Sequence, residues 1–226
     1  MKIGVLGTGM VGRAIAGRTA ELGHAVVIGT RDAGATLARA DGDAMGNPPF
    51  STWQAEHPGV ELLTFAEAAA RSELVVNATS GTSALSVLEL AGAGNLAGKT
   101  LVDVANPLDF SGGFPPTLSV KDTDSLAEQI QRAFPDARVV KTLNTVNAAV
   151  MVDPARLAGG DHSIFVSGDH TDAKATVTEL LNGFGWRDVI DLGDLSTARG
   201  TEMLLPLWLR LMGALGTPAF NVKVVR

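Results

Sequence analysis

Residues 1–31 constrain the fold more than any later stretch. Met1-Lys2-Ile3-Gly4-Val5-Leu6 is a short apolar run that predicts a buried parallel strand. Gly7-Thr8-Gly9-Met10-Val11-Gly12 follows at once, and Arg13-Ala14-Ile15-Ala16 begins a helical pattern. Strand, glycine turn and helix in that order are what a dinucleotide's pyrophosphate requires. Gly7 allows the tight turn, Gly9 lets backbone amides approach the phosphates, and Gly12 lets the helix pack closely on the strand. Thr8, Met10 and Val11 complete the loop and first turn, whose free amides and dipole face the negative charge. A lone glycine pattern of this kind is a weak signal, since a purely structural turn can carry it. Its context strengthens it: the helical pattern runs to Leu22, Gly23 stops it, and Ala25-Val26-Val27-Ile28 predicts the second strand of a βαβ unit.

The end of that second strand bears on which dinucleotide is bound. NAD sites usually place an acid there to accept hydrogen bonds from the ribose 2′-hydroxyl. This chain has Gly29-Thr30-Arg31-Asp32. A small residue, a hydroxyl and a guanidinium suit a 2′-phosphate, because Arg is always charged and bonds phosphate oxygens in pairs. Two other readings stand beside this one. Arg31 could be a solvated loop residue or pair with Asp32 beside it, and Asp32 could turn inward as the ribose acid.

Composition sets the outer limits. The 226 residues are 46% apolar, enough for one large core, with no linker or internal repeat to divide the chain. The expectation is a single Rossmann-type domain over 1–226, of which about 160–226 is a C-terminal α/β extension serving the acceptor site and a dimer contact. A net charge of −6 without a basic run argues against nucleic acid or an anionic membrane as partner. With no cysteine there is no disulfide, thiolate nucleophile or cysteine-ligated metal. Met1-Lys2 leads straight into the predicted strand, so no signal peptide is expected. The apolar segment 203–220 is interrupted by Arg210, Gly213, Gly216 and Pro218, poor material for a membrane span. The expected location is the cytoplasm.

Further along, 41–59 is rich in Gly, Asp and Pro and reads mostly as loop, after a short helix around 35–40. Trp53 and His57 could contact adenine from it or simply anchor the loop. Strand 60–63 and helix 65–71 lead to the apolar run Leu74-Val75-Val76-Asn77-Ala78-Thr79. Ligands lie across the carboxyl ends of strands in doubly wound sheets, which makes Asn77, Thr79 and Ser80 cofactor candidates; capping of a helix near Thr82 is their alternative role. Thr100-Leu101-Val102-Asp103-Val104-Ala105 repeats the pattern, and Pro107 stops the strand with Asn106 toward the crevice. A helix over 125–134 and a strand over 138–142 follow, then Leu143-Asn144-Thr145-Val146-Asn147. Asp103 and Lys141 could pair structurally. The remainder predicts strand 163–167, helix 171–184, strand 188–192 and one last helix over 196–215. Within that helix Leu204, Leu205, Leu207, Trp208, Leu211, Met212 and Leu215 are too many for one narrow stripe, so the helix either closes over the crevice or packs against a second subunit, with a dimer contact favoured. Arg199 and Glu202, three apart, read as a surface pair.

The motifs that usually announce an active site are missing: no GxSxG, no HExxH, and four scattered histidines. Without tyrosine, a Tyr-Lys proton-transfer pair is ruled out. Hydride transfer between a nicotinamide and a flavin-like ring needs two rings in contact and little else, whereas a carbonyl or imine substrate wants a proton donor. The sequence leans to the first.

Taken together, 4–12, Gly29-Thr30-Arg31, Val140-Lys141-Thr142-Leu143-Asn144-Thr145 and the segment 196–211 resemble the coenzyme F420-dependent NADP oxidoreductase family. The resemblance covers essentially the whole chain. It implies a mostly parallel Rossmann domain with a small C-terminal extension, usually dimeric, moving hydride between NADP(H) and a deazaflavin. It implies that Thr8, Thr30 and Arg31 contact NADP, the last two at the 2′-phosphate. Asn144, Thr145 and Val146 then lie where flavin and nicotinamide meet. On this reading Thr79, Asn106 and Asn144 line a hydride-transfer crevice and orient the ring without donating protons. The alternatives are a reductase of another small acceptor (flavin, quinone or iminium) and a non-catalytic NADP(H)-binding redox sensor.

Overall fold

The computed structural model describes residues 1–42 and 46–226. Alternation along Lys2–Leu6 (β1) sends Ile3 and Val5 to one face of a sheet and Gly4 and Leu6 to the other. A Cβ on Gly4 would stand 2.4 Å from Ser72 Oγ, so the bare glycine lets the next layer press against the strand. Met10–Glu21 (α1) follows the glycine turn, and Ala25–Thr30 (β2) pairs parallel to β1 with Lys2 opposite Ala25.

Two helices then precede the third strand. Ala33–Ala38 (α2) fits the short helix expected near 35–40. Phe50–Glu56 (α3) corrects the expectation of a loop through 41–59, of which 43–45 lie outside the described residues. Pro49 stands at its N-cap, where a missing amide costs nothing, and Phe50 is buried. Glu61–Thr64 (β3) lies outside β2, and Phe65–Arg71 (α4) starts on a capping box. There Thr64 Oγ1 accepts from the Glu67 amide while the Glu67 carboxylate accepts from Thr64.

Leu74–Asn77 (β4) returns to the other side of β1. Ala84–Ala91 (α5), Ala93–Leu96 (α6) and Thr100–Asp103 (β5) follow. A small hairpin, Leu108–Asp109 (β6) with Thr117–Leu118 (β7), leads to Leu126–Ala133 (α7) and Arg138–Thr142 (β8). Ala148–Val152 (α8), Ser163–Ser167 (β9), Thr171–Phe184 (α9) and Asp188–Asp191 (β10) complete the sheet.

Among the described residues the main sheet has eight strands in the order β10-β9-β8-β5-β4-β1-β2-β3. All neighbours are parallel except β8 and β9, where Lys141 faces Ser167. This is the doubly wound α/β arrangement expected. The chain moves outward from β1 to β3 and then jumps back to β4, so a crevice opens at the carboxyl ends of β1 and β4. Since β9 and β10 run the opposite way, β8 is the strand of the second half that opens its carboxyl end toward that crevice.

The core has two layers. Ile3, Val5, Ile28, Val76 and Val140 pack with Ile15 and Ala16 of α1 and Val177 and Leu181 of α9. Leu6, Val75, Leu101 and Val139 pack with Ala68 of α4, Leu88 of α5 and Ile130 of α7. Each fully buried aliphatic side chain contributes about 1.5–3 kcal/mol before chain entropy is counted.

The C-terminal helix departs from expectation by being divided into Ala198–Met203 (α10) and Leu205–Leu215 (α11) around Leu204. Pro206 lacks the amide that would continue the ladder, and its ring conflicts with the carbonyl four residues earlier. Among the described residues no helix is long and apolar enough to cross a membrane.

Candidate active site

At the N-terminal turn the backbone explains each glycine that matters. Gly7 has φ +122° and donates its amide to Gly29 O at 3.0 Å; a Cβ there would come within 2.6 Å of Ala78 O. A Cβ on Gly12 would sit 2.0 Å from Gly7 O, so α1 approaches the turn as closely as backbone permits. Gly9 is different, for a Cβ there would meet nothing within 4 Å. It caps α1 without a side-chain hydrogen bond, and the first turn holds no acid. The first amides of a twelve-residue helix therefore face open space with no negative side chain to compete, the arrangement a pyrophosphate uses. Arg13 braces the turn from behind: Nε donates to Thr8 O at 2.8 Å, and another guanidinium nitrogen to Pro48 O at 2.6 Å. Sequence reasoning passed over Arg13, whose helical position carries no signal of those two carbonyls.

The end of β2 separates the two charges that the sequence leaves in competition. Asp32 caps α2, its Oδ1 accepting from the Ala35 amide at 2.8 Å, and so is committed to the helix. Arg31 is exposed and has no hydrogen-bond or ion-pair partner among the described residues. Thr30 is buried, with its hydroxyl 2.9 Å from that of Thr36. A cation with no partner among the described residues, beside an acid that caps its own helix, suits an anionic group on the ribose better than an unmodified one. Trp53 and His57 stack on each other with centroids 4.1 Å apart, and the His57 ring lies against Gly17 in the middle of α1. They anchor α3 to α1.

At the carboxyl ends of β4, β5 and β8 the polar side chains are tied to one another. Asn77 is fully buried; Nδ2 donates to Asp103 Oδ1 at 2.8 Å, and Oδ1 accepts from Thr79 Oγ1 at 2.7 Å. Ser80 Oγ lies 3.0 Å from Thr82 Oγ1 and makes no capping bond to the turn that follows. Asn106 and Asn144 exchange bonds across the crevice: Asn106 Nδ2 donates to Asn144 O at 2.8 Å, and Asn144 Nδ2 to Asn106 Oδ1 at 3.0 Å. Asn144 Nδ2 also donates to Thr201 O at 3.0 Å, bringing α10 to the site. The turn after β8 places Leu143 at φ +60°, an uncommon conformation for a branched side chain. Thr145 is buried with an unpartnered Oγ1, and Val146 joins the apolar core on the α1 side.

Beneath these residues lies a buried ion cluster. Lys141 Nζ meets Asp103 Oδ2 at 2.7 Å, Glu202 Oε1 at 2.8 Å and Ala105 O at 2.5 Å. Burial by itself would lower the Lys141 pKa, but the charges of Asp103 and then Glu202 outweigh it and hold the ammonium above its ordinary value. Glu202 also accepts from the amides of Leu126 and Ala127 at the start of α7. The Asp103–Lys141 pair was expected. The surface pairing of Arg199 with Glu202 was not correct: Arg199 turns to Glu128 through two hydrogen bonds, and Glu202 is 1% exposed. Their spacing of three puts both on one side of an isolated helix, but β8 and α7 pack against that helix and claim the acid.

The four histidines stand elsewhere. His24 lies near the Met1 amine, His57 on α1, His162 against Trp186, and His170 at the start of α9. Among the described residues no group of acids and histidines could hold a metal ion. A switch-point crevice, a bare helix N-terminus and, at the end of β2, a cation without a partner among the described residues fit a phosphorylated dinucleotide. They define the class as a Rossmann-type, dinucleotide-dependent oxidoreductase.

Comparison with known proteins refines this. The family model for coenzyme F420-dependent NADP oxidoreductase matches residues 2–107. A crystal structure from Arthrobacter sp. FB24, provisionally described as an F420-dependent NADP reductase, is 65% identical and superposes over 100% of both chains with a TM-score of 0.96. The F420-dependent NADP reductase of Methanothermobacter marburgensis is 30% identical over 93% of this chain and 92% of its own length. Metalloreductase STEAP3 of Rattus norvegicus is 31% identical over 92% of this chain, which spans 38% of that longer protein. The chain belongs to the coenzyme F420-dependent NADP oxidoreductase family, a family of NADP-dependent oxidoreductases.

Proposed function

We propose that the chain catalyses hydride transfer between NADP(H) and a deazaflavin of the coenzyme F420 type. Gly7 to Gly12 would hold the pyrophosphate and Arg31 the 2′-phosphate, with Thr30 shaping the end of the strand. Thr79, Asn106 and Asn144 would line the ring site, where the bound dinucleotide supplies or accepts a hydride. The observation that carries this reading is that, among the described residues, the crevice is lined by amides and hydroxyls and holds no histidine, tyrosine or exposed acid to act as a general acid. Its asparagines are locked to each other, Thr79 is bonded to Asn77, and all four histidines lie outside it. A flavin-like ring accepts hydride directly; a carbonyl or imine would leave its developing charge unmet. What the chain's own residues do is bind, orient and keep the ring face dry. Mixing the protein with NADPH or NADH and an acceptor panel tests this. Loss of deazaflavin absorbance with NADPH and not with NADH is the expected result. Turnover of an imine or ketone without deazaflavin turnover would overturn it, and tight NADPH binding with no acceptor would favour a sensor. The similarity to a metalloreductase favours a second reading, reduction of a flavin that passes electrons to a metal ion, so FMN and a ferric chelate belong in the panel.

We also infer a homodimer formed through α11. Leu207 and Leu215 are exposed there, beside half-buried Leu211 and Met212, and together they form an apolar face on the helix. Sedimentation should return twice the chain mass, and a monomer at micromolar concentration would refute this assembly.

A further inference from the structure

The cluster of Lys141, Asp103 and Glu202 is not needed to hold a nucleotide, yet it sits directly under the crevice. Each of its links ends within two residues of a crevice side chain. Lys141 Nζ binds Ala105 O, next to Asn106; Glu202 follows Thr201, whose carbonyl accepts from Asn144; Asp103 holds Asn77, which holds Thr79. Among the described residues, every hydrogen bond and ion pair of the two carboxyl groups comes from a donor. Asp103 takes the Asn77 amide, the Ala105 N–H and the ammonium, while Glu202 takes the Leu126 and Ala127 amides and the same ammonium. A carboxylic proton would have no acceptor in either place, so both groups are carboxylates. Two carboxylates against one ammonium leave one negative charge, buried, with side-chain exposures of 0%, 0% and 1%. The α7 dipole offsets about half of it.

Such a charge bears differently on the two states of the cofactor. The oxidised nicotinamide ring is a cation, and the reduced ring is neutral. We propose that the net negative charge of the Asp103–Lys141–Glu202 cluster favours the oxidised, cationic ring in the crevice over the reduced one. This makes the bound reduced cofactor a stronger hydride donor than it is in water. The inference rests on the nucleotide site argued above.

The test is binding at equilibrium. The dissociation constants of NADPH and NADP⁺ are measured by calorimetry for the wild type, Glu202→Gln and Asp103→Asn, with circular dichroism and melting curves as the check on folding. Each substitution removes one unit of negative charge from a different strand or helix while nearly keeping shape. If the ring binds about 10 Å from that charge at an effective dielectric near 20, NADP⁺ binding should weaken relative to NADPH by about fifteenfold, in the same direction in both variants. A merely structural role would weaken both nucleotides together. An unchanged ratio in a folded variant, or ratios moving in opposite directions in the two, overturns the proposal. If one variant does not fold, the other carries the comparison. A wild-type protein that binds neither nucleotide would instead refute the site assignment itself.

Discussion

Arg31→Ala is expected to raise the NADPH KM about thirtyfold while leaving that for NADH within about twofold. The estimate comes from one charge-assisted hydrogen bond to a phosphate, worth about 1.5–3 kcal/mol, which converts to roughly ten- to a hundredfold. Arg31 makes no bond to the described protein, so its removal disturbs no packing. The selectivity of the effect follows from Asp32. One oxygen of its carboxylate accepts from the Ala35 amide at the start of α2, which holds the acid to its own helix. Steady-state kinetics with the two nucleotides decide the matter. An equal rise for both would mean that Arg31 acts on the pyrophosphate or on the fold, and the NADP reading of this strand end would fail. Arg31→Lys should recover part of the loss, since a point charge replaces only one of the two bonds a guanidinium can make.

How far the sequence discloses this molecule differs from element to element, for physical reasons. Helix 65–71 and strand 163–167 are legible to the residue because local chemistry bounds them: a Thr64–Glu67 capping box in one case, a β-branched run between polar residues in the other. The end of α9 is marked by Gly185, which takes φ +106° where a side chain would be strained. By contrast, α3 is flanked by Asn47-Pro48-Pro49 and His57-Pro58-Gly59, and composition alone reads such punctuation as loop. The break between α10 and α11 had a visible signal in Pro206, masked by the continuous apolar pattern around it. The glycine turn and Arg31 are local motifs and legible; the fate of Asp32 is not, since capping and ribose binding ask for the same residue type. Glu202 lies furthest from reach. Its partners are Lys141 and the amides of 126–127, far away in sequence, and its spacing from Arg199 suggests a surface pair. Charged residues inside apolar runs, such as Lys141 after Val139-Val140 and Asp103 after Leu101-Val102, are the one sequence sign that a buried ion cluster exists.

Lys141→Met should lower stability by about 3–5 kcal/mol, which for a chain of this size corresponds to a fall of about 10 °C in melting temperature. Methionine fills most of the lysine's volume, so cavity formation contributes little; the loss is electrostatic. Asp103 and Glu202 would be left buried without the cation between them, with side-chain exposures of 0% and 1%. Glu202→Gln should cost less, because the Lys141–Asp103 pair survives and the Leu126 and Ala127 amides lose at most one acceptor. The pH dependence follows from the direction of the Lys141 shift. Burial lowers its pKa, the Asp103 and Glu202 charges more than reverse this, and the folded value lies above the ordinary lysine value of about 10.4. A group whose pKa is raised on folding stabilises the native state fully below its unfolded pKa, and that contribution disappears as pH climbs through the folded value. The wild type should therefore melt at increasingly lower temperature above about pH 10, and the gap between it and Lys141→Met should narrow over the same range. A gap that stays constant from neutral to alkaline pH would show that the lysine stabilises by packing and not by charge. The field ascribed to the cluster at the nicotinamide would then have to be sought elsewhere.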